Sequence, residues 1–243
     1  MERIYLDHAA TTTTRPEAIA AMTAVLGADY NPSSLHAEGR AARAILDQAR
    51  ATVARVLGAK PREIVFTAGG SEADNLAILG IARARSRDGR HLITSVTEHH
   101  AVLHALDALE AEGWIVTRLG VDSRGTIDPG ELRAALRPGT TLVTLALANN
   151  EIGAIAPVAE LAAIAHAAGA CFHTDAVQAP GQLPLNVAAL GVDTLALSGH
   201  KFYAPKGVGV LYVRDGTPIV PHLHGGGQEH GLRSGTENLA GIA

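Results

Sequence analysis

Along most of the chain, short apolar runs rich in β-branched residues alternate with alanine- and leucine-rich segments of helical period. Runs that are apolar throughout are typical of strands buried on both faces, and strands that alternate with helices usually pair in parallel. The pattern therefore predicts an α/β fold in which helices cover both faces of a mostly parallel sheet. Predicted strands lie at 63–67, 91–95, 114–119, 141–147, 170–174, 193–198 and 209–213; predicted helices lie at 16–26, 37–57, 71–86, 99–112, 128–136 and 158–168.

Composition narrows the classes of function. The 243 residues are 47% hydrophobic and 18% charged, which is enough for a sizeable core. A formal net charge of −4 gives no attraction to nucleic acid or to an anionic membrane. No apolar stretch reaches the length of a signal peptide or a membrane span. The single cysteine, Cys171, excludes an internal disulfide, so we expect a reducing compartment, the cytoplasm.

Polar residues follow five of the predicted strands at the points where the strands end. In an open α/β sheet, ligands bind outside the carboxyl ends of the strands. These residues therefore predict a binding site at one edge of the sheet. They occupy positions 68–75, 97–100, 149–151, 175–178 and 198–201.

One of these groups, Gly69-Gly70-Ser71, lies at a predicted strand-to-helix turn. Glycines there expose backbone N–H groups beside the positive end of a helix, which suits a phosphate. The alternative is that Ser71 only caps the helix, with Asp74 as its capping partner, and the motif alone does not separate the two. The dinucleotide and Walker-type glycine motifs do not occur.

Asp175, Lys201 and His99 stand at three different strand ends. A lysine amine binds an aldehyde cofactor covalently as a Schiff base, a carboxylate keeps a pyridine nitrogen protonated, and an imidazole stacks on the ring. Only three lysines occur, Lys60, Lys201 and Lys206, so few residues are available for the amine. Taken singly, each of the three site residues has a structural explanation as a cap or a solvated loop residue.

A metal site is the weaker alternative. His100 and His104 have helical i, i+4 spacing, and His222 and His224 lie two residues apart. No H-E-x-x-H motif accompanies them, and helical histidine pairs commonly face solvent. No metal is therefore predicted.

Eight motifs in order resemble those of the cysteine desulfurases, in the class V aminotransferase group of pyridoxal-phosphate enzymes. The resemblance implies the aspartate-aminotransferase-like large domain of fold type I, with pyridoxal 5′-phosphate as cofactor. It also implies the conversion of L-cysteine to L-alanine, with sulfur passed on for iron–sulfur cluster or thio-cofactor biosynthesis. The motifs are YLDHAATT (5–12), NPSSLHAEGR (31–40), EIVFTAGGSEADNLAI (63–78), TEHHAVL (97–103), NNEIGAI (149–155), HTDAVQAPG (173–181), SGHKFYAPKGVGVLYVR (198–214) and HGGGQEHGLRSGTEN (224–238).

The resemblance also implies a role for each matching residue. Lys201 would bind the cofactor covalently, Asp175 would face the pyridine nitrogen, and His99 would stack on the ring and take part in proton transfer. Gln178 would donate to the ring oxygen, and Asn150 would lie beside the ring. Four residues would hold the phosphate, namely Gly70, Ser71, Ser198 and His200. Thr236 would reach the phosphate of a partner subunit, which implies a homodimer, while Asn31 and residues 7–10 resemble stretches on the substrate side.

The chain departs from the family in one respect. The cysteine that receives sulfur and an arginine for the substrate carboxylate lie downstream of RSGT in the family, beyond Ala243. Cys171 is no substitute, because it falls in a predicted buried strand. We therefore expect a truncated desulfurase that is not fully active, with residues 1–14 packing on a small domain and 15–243 forming a large domain incomplete at its end.

Three further inferences follow from the resemblance. A sulfur-acceptor protein is an implied partner, whereas nucleic acid and membrane are not. A different class V reaction, such as that of a selenocysteine lyase or an aminotransferase, is one alternative function. A non-catalytic dimerising subunit is the other.

Overall fold

The computed structural model describes residues 3–27 and 30–243 and shows one α/β unit. Within these residues, seven strands form a single sheet, and eight α-helices and three short 3₁₀ helices accompany them. The strands are β1 (Ile64–Thr67), β2 (His91–Ser95), β3 (Ile115–Leu119), β4 (Thr140–Thr144), β5 (Cys171–Asp175), β6 (Thr194–Ser198) and β7 (Gly209–Val213). The α-helices are α1 (Pro16–Leu26), α2 (Ala37–Leu57), α3 (Gly70–Ala84), α4 (His100–Ala111), α5 (Pro129–Ala135), α6 (Val158–Ala167), α7 (Val187–Leu190) and α8 (Leu239–Ile242).

The sheet is mostly parallel, as predicted. Its strand order is β1-β7-β6-β5-β4-β2-β3. Only β7 runs the other way, since it is antiparallel to both of its neighbours, β1 and β6. The other six strands therefore end at the same edge, which brings together the polar residues that follow them.

Helices cover both faces of the sheet. On one face, Leu46 of α2 and Leu161 of α6 pack in a core that contains Phe172 of β5. On the other face, Ile78 of α3 and Leu106 of α4 pack over β2, β4 and β5. All five side chains are fully buried. Apolar burial on this scale is the main stabilising contribution to such a domain.

The predicted element bounds agree with the observed ones to within a few residues, and the clearest difference concerns β4. The predicted strand at 141–147 ends as a regular strand at Thr144, and residues 145–147 continue as extended chain toward the site. The prediction that the strands are buried on both faces is wrong for β3. It is the edge strand, and Ile115 is 56% exposed.

A buried ion pair ties α2 to the Gly-rich segment at 224–236. The guanidinium of Arg50 donates to both carboxylate oxygens of Glu229, at 2.8 and 2.6 Å, and to the carbonyl of Ile64 at 2.6 Å. Glu229 also accepts from the backbone N–H of Phe66 at 2.7 Å. Helix α2, strand β1 and the Gly-rich segment are thus joined at one point.

Among the residues described, no helix is both long enough and apolar enough to cross a membrane.

Candidate functional site

A cavity of about 910 Å³ opens at the carboxyl edge of the sheet. It collects residues from the ends of β1, β2, β4, β5 and β6, the same five strand ends that carry polar residues in the sequence. Nine of the ten residues predicted to bind a cofactor line it, namely Gly70, Ser71, His99, Asn150, Asp175, Gln178, Ser198, His200 and Lys201.

Asp175 and Lys201 are an acidic and a basic side chain on the wall of this cavity. Asp175 is the last residue of β5, and its carboxylate accepts from the N–H of Val177 at 2.8 Å. Burial, reinforced by the nearby Asp74 carboxyl, raises the pKa of Asp175 to about 7. Burial lowers the pKa of Lys201, an effect that the charges of Asp175 and Asp7 oppose. Asp175 can therefore change protonation state near neutral pH, and the lowered pKa of Lys201 favours its free amine.

The turn between β1 and α3 forms the part of the cavity suited to an anion. Helix α3 begins at Gly70, so the N–H groups of its first turn have no partner within the helix. A Cβ on Gly70 would lie 2.9 Å from Cγ2 of Val177 and 3.3 Å from Cβ of Ser198. The glycine therefore lets the start of α3 approach Val177 and Ser198 more closely than a residue with a Cβ could. Ser71, Ser198 and His200 line the same region.

His99 and the residues around Asn149 border the cavity from the β2 and β4 side. His99 is the N-cap of α4, and its Nδ1 accepts from the N–H of Ala101 at 3.1 Å, which fixes the start of the helix. The side chain of Asn149 donates to the carbonyl of Thr97 at 2.9 Å and accepts from the N–H of Glu151 at 2.9 Å. This amide holds together the two loops that carry His99 and Asn150.

The N-terminal segment closes one side of the cavity. Lys201 Nζ donates to the carbonyl of Ala9, and to that of Ala10 at 2.9 Å. Gln178 donates to the carbonyl of Ala9 at 3.0 Å. The backbone N–H of Thr12 donates to the carbonyl of His200 at 2.8 Å. Asp7, Ala9 and Ala10 therefore line the cavity, and Thr12 ties the segment to His200. The similarity of residues 7–10 to a substrate-side stretch stays a prediction.

Two residues predicted for the site lie elsewhere. Thr236 is exposed and does not line this cavity, so its predicted contact with a partner subunit stays a prediction. Asn31 does not line the cavity either, and its side chain accepts from the N–H of Ser33 at 2.9 Å within its own turn.

The alternative in which Asp74 is a capping partner of Ser71 is wrong. Asp74 is 1% exposed, and its Oδ1 lies 3.2 Å from Nε2 of His173 on β5. Helix α3 has Gly69 as its N-cap and shows no side-chain capping bond. The sequence did contain a signal for this burial. Asp74 lies in the second turn of α3, on the helix face that packs against the sheet.

Sequence reasoning gave no individual role to Glu98 or Lys206. Glu98 is 7% exposed and its Oε1 accepts from the N–H of Ala146 at 3.0 Å. Lys206 lines the cavity. The signal for Glu98 was its place directly before His99 at the end of β2. Nothing in the local pattern around Lys206 distinguishes it from a solvated loop residue.

Known proteins resemble this chain over nearly its whole length. The family model described as "Aminotransferase class-V" matches residues 4–243. The chain belongs to the class-V aminotransferase family. Within the family it is 52% identical over 240 residues to the cysteine desulfurase IscS of Dictyoglomus turgidum, covering 98% of this chain and 61% of that protein. It is 49% identical to the IscS of Methanosarcina thermophila, covering 98% of this chain and 59% of that protein.

Solved structures of class-V relatives have the same fold. A NifS-like protein superposes with a TM-score of 0.97 at 40% identity, covering 99% of this chain and 67% of that one. A structure described as SspA in complex with cysteine superposes with a TM-score of 0.95 at 42% identity, covering 99% of this chain and 70% of that one. The fold is thus the fold type I architecture of the NifS-like proteins. The chain spans about three fifths of the length of the two IscS relatives.

Cys171 and the pair formed by His100 and His104 do not line the cavity. Cys171 is buried, and burial raises the pKa of its thiol, so the thiol is a poor nucleophile. The rings of His100 and His104 lie 5.2 Å apart. Over residues 3–27 and 30–243, no group of three or more His, Cys, Asp or Glu side chains is arranged to hold a metal ion.

Proposed function

We propose that this chain is the cofactor-binding part of a cysteine desulfurase and binds pyridoxal 5′-phosphate through Lys201. One observation carries the proposal: a lysine amine of lowered pKa and a buried carboxyl line the same cavity as a glycine-lined helix start. The cysteine desulfurase names of the relatives support the choice of reaction within the class-V family.

The groups present fit the cofactor. The turn at Gly70 and Ser71, with Ser198 and His200, offers N–H and side-chain donors to a phosphate. Asp175 offers a carboxylate to a protonated ring nitrogen, and Gln178 offers an amide donor to the ring oxygen. His99 offers an imidazole face to the ring. Pyridoxal phosphate, when bound, supplies an electron sink that stabilises negative charge at the substrate Cα.

Lys201 and His99 are the groups that move protons in this proposal. The lowered pKa of Lys201 increases the fraction of free amine, the form that attacks an aldehyde. As a free amine, Lys201 Nζ would be able to accept a proton from the substrate Cα, and the carbonyls of Ala9 and Ala10 would orient it. His99 Nε2 is available for a second transfer, because Nδ1 already accepts from Ala101.

The complete reaction needs groups that this chain does not carry. L-Cysteine would be converted to L-alanine, and its sulfur would pass to a cysteine thiolate and then to an acceptor protein. Cys171 does not fill that role, because it is buried and does not line the cavity. A homodimer in which Thr236 reaches the partner's phosphate, a cytoplasmic location and a role in iron–sulfur cluster biosynthesis belong to the same proposal.

The test is to map the attachment point of the cofactor. The purified chain is mixed with pyridoxal phosphate, the lysine–cofactor linkage is reduced with borohydride, and the modified peptide is identified by mass spectrometry. We expect the label on Lys201 and not on Lys60 or Lys206. A label spread over all three lysines, or none, contradicts the proposal. For the reaction, alanine release from L-cysteine is assayed on this chain and on one extended by a relative's downstream segment, and only the extended chain is expected to be active.

Gly209 gives a second prediction about the anion cradle. It pairs with Thr67 and with Ser198, and a Cβ there would lie 2.5 Å from the backbone of Gly69. Gly209→Ala must displace that backbone at a cost of about 1–3 kcal/mol. We expect the affinity for pyridoxal phosphate to fall about tenfold, measured by absorbance titration.

The matched control for this change is Gly120→Ala. No atom lies within 4 Å of the Cβ position at Gly120, so we expect its affinity for the cofactor to equal that of the wild type. Equal affinities for all three proteins would show that the close approach of Gly209 to Gly69 does not shape the cradle.

A further inference from the structure

Two buried carboxyl groups, Asp74 and Asp175, line the cavity, and a third, Glu98, lies close enough for both to raise its pKa. Asp74, Glu98 and Asp175 are 1%, 7% and 8% exposed. Within the described part of the chain, none of them forms an ion pair with a lysine or an arginine, and the only ion-pair contact is that of Asp74 with His173. Several unpaired carboxylates at one buried place are costly, so most of them must hold a proton.

Asp74 belongs to a short hydrogen-bonded chain that the proposed mechanism does not use. Oδ1 of Asp74 lies 3.2 Å from Nε2 of His173, and Nδ1 of His173 lies 2.9 Å from Oγ1 of Thr194. All three residues are buried. His173 and Asp175 are two residues apart on β5, so their side chains lie on the same face of the sheet. The hydrogen bonds from Asp74 through His173 to Thr194 therefore lie beside Asp175, the carboxyl that would face the ring nitrogen.

The surroundings favour a negative charge on Asp175 over one on Asp74. Burial and the nearby Asp74 carboxyl raise the pKa of Asp175 to about 7, while the hydrogen bond that Asp175 accepts from the N–H of Val177 acts to lower it. Burial raises the pKa of Asp74 to about 8 and that of Glu98 to about 8. Burial lowers the pKa of His173 to about 4, so this imidazole is neutral near pH 7.

The neutral tautomer of His173 then follows from its two partners. A protonated Asp74 donates to Nε2, and the Nδ1–H of His173 donates to Thr194. The other titratable groups at this place are Glu98, His99, Asp175 and Lys201. None of these four forms a hydrogen bond with Asp74, so His173 is its partner.

We propose that Asp74 is a positioning residue that stays protonated and donates a hydrogen bond to His173. Asp175 is then the carboxylate that is available to the ring nitrogen. The inference deepens the proposed function, since it assigns a role beside the same cavity. Its test uses the purified chain without pyridoxal phosphate, so the result does not depend on whether the cofactor binds.

The test compares the wild type with Asp74→Asn by denaturant unfolding at several pH values. The free energy of unfolding falls with rising pH wherever the folded state holds more protons than the unfolded state. An unfolded aspartate loses its proton near pH 3.9, whereas folded Asp74 keeps it until the pH nears its raised pKa of about 8. The amide of the variant binds no proton in either state, and groups common to both proteins cancel in the comparison.

Between about pH 4.5 and pH 6, we therefore expect the unfolding constant of the wild type, divided by that of Asp74→Asn, to rise about tenfold per pH unit. A ratio that stays constant over this range overturns the proposal, because Asp74 is then ionised beside a neutral His173. Asp47→Asn is the matched control at an exposed carboxyl that pairs with Arg43, and its ratio is expected to stay constant.

A second measurement shows which group holds the proton. In infrared difference spectra near pH 6, Asp74→Asn should lose the absorption of a protonated carboxyl, whereas Asp47→Asn should lose that of a carboxylate. Loss of a carboxylate absorption in Asp74→Asn places the proton on His173 and overturns the proposal. If Asp74→Asn does not fold, carbon-13 NMR of labelled aspartates in the wild type decides. An assigned Asp74 carboxyl signal that titrates above about pH 6 supports the proposal, and one that titrates below about pH 5 overturns it.

Discussion

Replacing Lys201 with alanine is expected to abolish covalent attachment of pyridoxal phosphate. Alanine has no amine, and the cavity contains one other lysine, Lys206. The visible absorbance of lysine-bound cofactor should fall to background at cofactor concentrations that saturate the wild type. Residual binding through the phosphate cradle should remain, measured by equilibrium dialysis, because Gly70 and Ser71 are untouched.

Two control variants make this result specific. Lys206→Ala removes the other amine of the cavity, and Lys60→Ala removes an amine outside it. Both are expected to keep the visible absorbance of the wild type. If Lys201→Ala keeps it while Lys206→Ala loses it, the attachment point is Lys206 and the assignment of Lys201 is wrong.

Replacing Glu229 with alanine is expected to cause the largest loss of stability outside the hydrophobic core. The side chains of Arg50 and Glu229 are 5% and 0% exposed, so the substitution leaves a buried guanidinium without its partner. Breaking a buried pair in this way costs about 3–5 kcal/mol. It also leaves the N–H of Phe66 without its acceptor. Denaturant unfolding, with midpoint and slope compared to the wild type, measures the loss.

The backbone near Glu229 adds to the expected effect. Glu229 and His230 have φ values of 46° and 61°, in the left-handed region that residues other than glycine rarely adopt. The contacts of Glu229 with Arg50 and Phe66 hold this conformation, so we expect the loop at 229–231 to relax when they are lost.

Asp47→Ala is the matched control for the ion pair. Asp47 pairs with Arg43 on the exposed surface of α2 at 3.0 Å. Exposed pairs of this kind contribute about 0–1 kcal/mol. If Glu229→Ala and Asp47→Ala lower the free energy of unfolding equally, the buried pair does not stabilise the fold as argued.

The order of strands and helices could be predicted from the sequence because each element carries a local signal. Pro16 and Gly58 mark helix ends, and the apolar runs mark strands. The site could be predicted in outline for a related reason: parallel strands end at one edge, so residues such as Asp175 and Lys201 meet whenever their strands share a sheet.

The remaining features depend on contacts between residues far apart in sequence. The pairing of β7 with β1 joins residues more than 140 positions apart, and no local pattern specifies it. The burial of Asp74 depends on how α3 packs on β5, and the role of Glu229 depends on Arg50, which lies in α2. Local secondary-structure propensity does not predict such pairs. A carboxyl that caps a helix and one that is buried against a distant partner have the same appearance in the sequence.

The insertion of β7 between β1 and β6 has a consequence for synthesis on the ribosome. β1 pairs only with β7 in this sheet, so its hydrogen-bonding groups have no strand partner until residue 213 has emerged. A long-lived unpaired apolar strand is open to association with other chains. We therefore expect nascent chains that stop before β7 to aggregate or to recruit chaperones, and chains that extend past Val213 to become resistant to proteases.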